Sequence, residues 1–574
     1  MGFRLPRIVD ACLLSVCSCL ALAQSPTIAI KVDQVGYLPA APKVAMFVPQ
    51  AAPVKAFSIR KSEDNSKVFS GSLNEPVLDP DTNENVQIAD FSQFKQNGNF
   101  YLQIDGVGRS WNFRIAPDVF KRAYYLAMRS YYGQRCGTAV DLGSEFPGYR
   151  HDICHVKGGF DASAGKTGEH ASAYGWHDAG DYGRYVVNGG ITTGTLLWTY
   201  ELYGQSAGKL SLNLPESANG QPDILNEVRW NLEWMLSMQD SDGGVWHKQT
   251  SDHFCAFIMP ERDTLPSLVI GTGMAPFKSS CATADFAAVM AIAARDYGRF
   301  DAAFAKRCLQ AATQAWAWLK NNPNITFKNP PGVSTGDYGD RSCGDEELWA
   351  AAELLRTTKQ PEYSQYFLAH YREYLDSVRP VNPQSWPMVA PLALYTYVLG
   401  DGGDKDAVAA IRQKTLSAAD AIVMRTNQHP YRISLTPKDF IWGSNAVAAN
   451  YSMQLLIANR FQPDARYRDV AMENLHYLLG RNSFSLSWVT QVGENAFRHP
   501  HHRPSAADGL DLPWPGLLAG GPNPGRQDAV MKKLLSPDTP RGKMYVDEMG
   551  AYACNEVAIN WNAPLVFVLA SLAP

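Results

Sequence analysis

The chain has 574 residues, too many for one ordinary core, so two domains or one large toroidal domain with an appendage are expected. It is 45% hydrophobic and 19% charged, with a formal net charge of −4. There is no basic run and no basic-aromatic stripe, so nucleic acid and anionic membrane surfaces are set aside as partners. Aromatic residues reach 11%, including 14 Trp and 26 Tyr. Most belong in a core, but such a surplus also suits sugar binding, because a pyranose ring offers an apolar face to a flat side chain.

Residues 1–23 read as a secretory signal peptide. Arg4 and Arg7 give a positive start, ACLLSVCSCLALA is a short apolar stretch interrupted upstream by Asp10, and Ala21-Leu22-Ala23 is the cleavage site. The run is too short for a comfortable membrane span. Export to the periplasm or the medium is expected. A lipoprotein anchored through Cys17 or Cys19 is the alternative, but the residues before each fit a lipobox poorly. Three of ten cysteines (Cys12, Cys17, Cys19) leave with the signal. The odd set that remains, Cys136, Cys154, Cys255, Cys281, Cys308, Cys343 and Cys554, argues against a full disulfide framework in an oxidising compartment.

Residues 27–115 read as β. Short runs at 28–32, 43–47, 56–61, 66–72, 86–90 and 98–104 alternate in part and are separated by turn residues. Their spacing suits a small antiparallel sandwich of immunoglobulin type. No acid-base cluster stands out in it, so a structural or docking module is expected.

Over 117–574 the apolar period changes to 3.6. Twelve segments lie near 117–132, 184–204, 221–238, 281–297, 300–321, 343–357, 361–376, 385–399, 404–425, 441–459, 464–479 and 551–571. Asp301 and Asp404 mark two of the starts. Twelve helices without clear strands between them predict a mainly α architecture, a double ring of six inner and six outer helices. The stretches 133–183, 239–280, 322–342 and 480–550 are too long for ordinary loops and hold most of the chemistry.

Four constellations stand out. Cys136, Cys154, His155 and His177 form Cys-x17-Cys-His-x21-His, two sulfurs and two imidazoles that suit a closed, structural zinc site. The alternative is a Cys136–Cys154 disulfide with two unrelated histidines. Asp178 and Asp181 flank a tight glycine turn in GWHDAGDYGRYVVNGG, either as helix caps or as a pair that holds and polarises one water. Glu556 enters the last apolar segment among Tyr552, Val557 and Trp561, either as a helix-dipole partner or as a general acid with a raised pKa. RHPHHRPSAADG gathers His499, His501 and His502 between Arg498 and Arg503, a solvated loop or a set of hydrogen-bonding groups for a hydroxyl-rich ligand.

Taken together these residues resemble glycoside hydrolase family 9, in the subgroup with an N-terminal immunoglobulin-like domain ahead of an (α/α)6 barrel. The motifs are DAGDYGRYVVNGG (178–190), SWVTQVGENAFRHPHHR (487–503) and YVDEMGAYACNEVAINWNA (545–563). PDILNEVRWNLEWML, DGGVWHKQT, FIMPERDT and GGPNPG support them. The resemblance implies an inverting hydrolase of β-1,4-glucan, endo-acting and monomeric. Asp181 would be the base, Asp178 its partner on the water, and Glu556 the acid, with Asp547 orienting the acid's loop. His501 and Arg503 would bind sugar hydroxyls, and Trp176, Tyr552, Trp246, Trp442, Tyr338 and Trp514 are candidates for sugar stacking. The resemblance also implies zinc on the two-Cys, two-His set. It implies calcium too, with unassigned ligands, the candidates being Asp337, Asp340, Asp345 and Glu346 or Asp240 and Asp242. An exo-acting cellodextrinase or exo-β-glucosaminidase on the same scaffold, and an inactive carbohydrate-binding protein, are the alternatives.

Overall fold

A computed structural model describes residues 25–50, 52–400 and 403–573; the expected signal peptide lies outside these residues. Two sheets form the N-terminal part. One runs Ile30–Lys31, Val44–Phe47, Glu84–Asp90, Val77–Asp79 in spatial order, all antiparallel. The other runs Gly36–Tyr37, Phe113–Ile115, Gly98–Ile104, Ala56–Lys61, Lys67–Ser72, antiparallel except for its first pair. Inward residues of both, among them Ile30, Phe47, Ile59, Leu102 and Phe113, make one apolar core. This is the expected sandwich, extended by two- and three-residue strands too short to show alternation in sequence.

Twelve long helices follow among the described residues: α1 Lys121–Gly133, α2 Val186–Tyr203, α3 Asp223–Ser237, α4 Ser280–Tyr297, α5 Ala302–Leu319, α6 Gly344–Thr358, α7 Pro361–Tyr374, α8 Ala390–Leu399, α9 Lys405–Gln428, α10 Ser444–Phe461, α11 Ala465–Leu478 and α12 Ile559–Ser571. The even-numbered helices form the inner ring. Neighbours pack as α2–α4–α6–α8 and α10–α12–α2. Inner helices are buried nearly all round and rich in Ala, Gly and Thr. Small side chains let their axes approach; a Cβ at Gly194 of α2 would stand 2.6 Å from the Trp349 ring of α6. Outer helices are amphipathic. In α5 the buried positions Phe304, Ala305, Cys308, Ala311, Ala312, Ala315 and Trp316 follow the helical period. The predicted starts hold, because Asp301 and Asp404 each accept a backbone N–H of the first turn.

Two boundaries differ from expectation. Helix α8 begins at Ala390, behind a turn at Ser385–Met388. The last segment is broken: Tyr552–Asn555 is a separate short helix, and Glu556 is extended before α12. A disulfide joins Cys281 to Cys343, while Cys136 and Cys154 are free thiols, so the alternative pairing of those two is not present. Among the described residues no helix is long and apolar enough to cross a membrane.

The sandwich docks on the loop that follows α11. Asp33 Oδ2 lies 2.7 Å from His476 Nδ1, both side chains buried, and Asp33 Oδ1 accepts the N–H groups of Val35 and Gly36. Tyr37 packs 4.8 Å from the same imidazole. Gln34 donates to Ser485 O and accepts from Asn495 N, and the Lys31 ammonium donates to Ser483 O. Nearby, the His429 ring faces Asp79 and Asp81 at 3.6 Å each; its Nδ1 accepts the Tyr431 N–H, which leaves the ring proton on Nε2, toward the two carboxylates. Removing one partner of a buried hydrogen-bonded pair leaves the other unsatisfied, which costs about 1–3 kcal/mol. Asp33→Ala is therefore expected to lower the unfolding temperature clearly in calorimetry, and an unchanged transition would show that this pair does not hold the junction.

Candidate active site

The base-side turn lies between a small sheet and α2. The sheet, unforeseen in the sequence, has the order Glu169–Ala171, Lys157–Phe160, Ser267–Ile270, Lys248–Thr250, Arg184–Tyr185. Its edge strand leads directly into α2 and fixes the turn before it. Asp178 is buried; Oδ1 accepts from Asn188 at 2.6 Å and Oδ2 from the Tyr338 hydroxyl at 2.7 Å. Asp181 Oδ2 accepts the Gly183 N–H at 2.9 Å and the Tyr185 hydroxyl at 3.1 Å. These hydrogen bonds leave Asp181 Oδ1 available to a water. Both residues line a cleft of about 840 Å³.

A second loop reaches the same cleft at Gly180, where a Cβ would come within 1.9 Å of the His501 carbonyl oxygen. His501 in turn bridges Glu556 in parallel β fashion and donates its N–H to Asn555 O. Its Nδ1 donates to Met549 O, which leaves Nε2 as an acceptor. Asp547 accepts the N–H groups of Arg498 and His499 and the side-chain amide of Asn555. Its carboxylate holds these loops together, outside the cleft lining. Glu556 lines the cleft and accepts the Trp442 indole N–H at 3.1 Å.

The electrostatics separate the acids. Burial, then the charges of Asp181 and Asp178, hold Glu556 well above the usual carboxylate range. Burial and the Asp181 charge push Asp178 up to about 7, against the pull of its bonds from Asn188 and Tyr338. A carboxyl biased toward its protonated form thus faces two carboxyls engaged by fixed donors, an arrangement able to serve as a general acid and a water-holding pair.

The other expected residues divide. Trp442, Tyr552 and Tyr338 line the cleft, with Trp442 and Tyr552 rings 5.4 Å apart. Trp176 and Trp246 do not: they are 1% and 2% exposed, and their indoles donate to Glu227 and to Ala164 O. Trp514 is equally buried, donating to Asp508. All three rings are part of the main apolar core of the barrel. Arg503 lines the cleft, yet its guanidinium donates to Cys255 O and Gly180 O, so it clamps two loops rather than extending toward a ligand. Trp386, Trp561, Asn560 and Phe254 line the cleft without having been singled out. Of these, Asn560 and Trp561 lie inside YVDEMGAYACNEVAINWNA and so carried a signal in the sequence.

Ligand atoms of Cys136, Cys154, His155 and His177 all lie within 4.8 Å of one another. Cys154 Sγ is 3.7 Å from His177 Nε2. His155 Nδ1 is buried without a partner, and its Nε2 lies 3.2 Å from Asp263 Oδ2. A ring nitrogen turned inward while the other meets a carboxylate is how metal-bound histidines are oriented. The candidate acids for a second cation divide. Asp240 and Asp242 are paired with Lys278, and Asp240 also with Lys166, so they do not fit one. Asp337 accepts the Asn329 N–H. Asp340 and Glu346 have buried oxygens without partners, as does Asp285 on α4, which the sequence did not flag. Burial first, then neighbouring carboxylates, holds Asp285 and Glu346 well above the usual carboxylate range, and burial also raises Asp340 and Asp345. Their fit is chemical: their oxygens are not among the sets of three that close within 4.8 Å.

The family model described as Glycosyl hydrolase family 9 matches residues 120–569, and that described as Cellulase N-terminal ig-like domain matches 25–109. Endoglucanase D of Acetivibrio thermocellus is 37% identical over 94% of this chain and 83% of its own length. A cellodextrinase of Butyrivibrio fibrisolvens is 33% identical over 95% and 99%. The crystal structure of a Zn-binding triple mutant of GH family 9 endoglucanase J30 superimposes with a TM-score of 0.87 at 33% identity, covering 94% of this chain and 99% of that one.

Removing the Tyr338 hydroxyl takes a hydrogen bond from the ionised form of Asp178 and raises its pKa further. A hydrogen bond to a charged group is worth about 1.5–3 kcal/mol, so Tyr338→Phe is expected to move the low-pH limb of the rate profile upward by about one unit and to lower kcat. An unchanged limb in initial-rate measurements would separate Asp178 from the titration that governs activity.

Proposed function

The chain belongs to glycosyl hydrolase family 9 and is a glycoside hydrolase, and on that premise we propose that it cleaves β-1,4-linked glucan chains internally with inversion at the anomeric carbon. The observation that carries this reading is the convergence of Glu556, Asp178 and Asp181 on one cleft, with burial raising the pKa of the Glu556 carboxyl. Asp178 and Asp181 hold one water, and Asp181 Oδ1 takes its proton as the oxygen attacks the anomeric carbon. Glu556 gives its proton to the departing glycosidic oxygen. The bond to that oxygen breaks as the bond to water forms, from the opposite face, and exchange with solvent restores both carboxyl groups. His501 Nε2 accepts a sugar hydroxyl, and Trp442, Tyr552, Trp386 and Trp561 supply flat faces. All the carboxyl groups the chemistry needs are in place, which speaks against an inactive binding protein. The likeness to Endoglucanase D favours internal cleavage; the likeness to a cellodextrinase marks the exo alternative. The protein acts as an exported monomer, consistent with the leader read in residues 1–23.

General acid catalysis contributes about 10²–10⁴-fold. Glu556→Ala is expected to lose about 10³-fold in kcat on a soluble β-1,4-glucan while keeping its fold. NMR of the first product from cello-oligosaccharides is expected to show the α-anomer. Near-normal turnover of the variant, or a β-anomer as first product, would overturn the acid assignment or the inversion respectively.

We assign zinc to Cys136, Cys154, His155 and His177, where a closed set of four ligands supplies folding energy and no reactive water. Asp263 orients His155 there. The acids Asp285, Asp340, Asp345 and Glu346 fit a hard cation such as calcium. Cys136→Ser is expected to lower both bound zinc, by elemental analysis, and the unfolding temperature. Full stability in a zinc-free protein would sink the assignment.

A further inference from the structure

A buried ammonium lies behind the base-side turn. Lys248 is fully buried, and its strand places it directly opposite Tyr185, the residue whose hydroxyl meets Asp181. Among the described residues it forms hydrogen bonds but no ion pair. All its donors go to one segment: Asn329 Oδ1 at 2.6 Å, Gly336 O at 2.7 Å, Thr335 Oγ1 at 3.1 Å and Thr335 O at 3.4 Å. A cation without a carboxylate partner is costly to bury. Burial lowers the lysine's pKa to about 7, with Asp337 and Asp181 pulling it back up.

That segment touches both carboxylates of the water-holding pair. Gly336 donates its N–H to the Tyr185 hydroxyl at 3.2 Å, and Tyr185 donates to Asp181. Two residues on, the Tyr338 hydroxyl donates to Asp178 at 2.7 Å. Tyr338 reaches this position with φ +44°, a left-handed backbone that a bulky residue adopts only where its surroundings impose it. The restraints are near: His247 donates to Asp337 O at 3.0 Å, and Asn329 donates to Thr335 O at 2.7 Å while accepting from Lys248.

We infer that Lys248 is a positioning residue for catalysis: its ammonium fixes the 335–338 turn, and through Tyr338 and Tyr185 that turn orients Asp178 and Asp181 on the water. The inference rests on the reading of those two aspartates as the base-side pair. Lys248 touches no substrate. It is distinct from a packing lysine because its hydrogen bonds end on the turn that carries Tyr338 and meets Tyr185, the two hydroxyls that hold the aspartates.

The test compares Lys248→Met, Asn329→Ala and Asp181→Asn on a soluble β-1,4-glucan, with thermal unfolding followed in parallel. A misplacement of about 1 Å costs on the order of 10²-fold in rate. Lys248→Met is expected to lose about that much in kcat with KM nearly unchanged, and to shift the low-pH limb upward, since a loosened turn weakens the Tyr338 hydrogen bond that favours the ionised form of Asp178. Asn329→Ala, which removes one acceptor and keeps the lysine, is expected to lose severalfold in kcat. Asp181→Asn is expected to be inactive. A folded Lys248→Met protein with normal kcat and an unmoved limb overturns the proposal while leaving the aspartate reading intact. If Lys248→Met does not fold, unchanged kcat in Asn329→Ala overturns it instead. Full activity in Asp181→Asn removes the reading beneath it, and the proposal with it.

Discussion

The site depends on one close approach. Gly180 lies against the carbonyl of His501 with no room for a Cβ, and that contact brings together segments separated by most of the barrel. Arg503 reinforces it from both sides, its backbone N–H and its guanidinium donating to Gly180 O. From His501 the geometry passes by a β bridge to Glu556. The proposed acid and the base-side pair are therefore related through backbone, not through flexible side chains. This is the kind of support that catalytic distances require. Glycine is needed at 180 for lack of space, and the residue types on either side, Asp178 and Asp181, are free to serve chemistry.

The same compactness creates an electrostatic problem. Burial, and then the charges of neighbouring carboxylates, disfavour the ionised forms of Asp178 and Glu556 in one cleft. The fold resolves this by unequal donor supply. Asp178 and Asp181 each receive two hydrogen bonds from fixed groups, whereas Glu556 receives one, from Trp442. The division between acid and base thus follows from where the barrel loops place their hydroxyl and amide donors, not from the carboxylates themselves.

Helical periodicity made the outer helices legible in the sequence, while the inner ones, buried nearly all round, showed as long apolar runs between them. The capping aspartates Asp301 and Asp404 were equally readable, since a cap is a local interaction. Motif resemblance brought Asp178, Asp181, Glu556 and His501 to one cleft, and the two-Cys, two-His set to one point. What escaped the sequence is non-local or too short. The five-stranded sheet behind the base-side turn is built from strands of two to four residues, with no room for a period. Asp285 sits inside an apolar helix and joins the other acids only when α4 and α6 pack. Trp176 adjoins the catalytic motif in sequence but points into the core. Adjacency along the chain does not tell which way a turn throws a side chain. Nor does composition show that Arg503 has its donors taken by carbonyl oxygens.

The domain junction bears on how the protein is made. Lys31 and Gln34, near the start of the sandwich, grip the loop after α11, and that loop continues toward His501. Helix α12 closes the ring against α2. Asp178 and Asp181 are made long before Glu556, so no fragment that has not reached residue 556 contains all three groups. The sandwich, made before the barrel, offers a template on which the loop after α11 settles. Assembly of the proposed chemistry thereby waits on a long-range contact rather than on any local element.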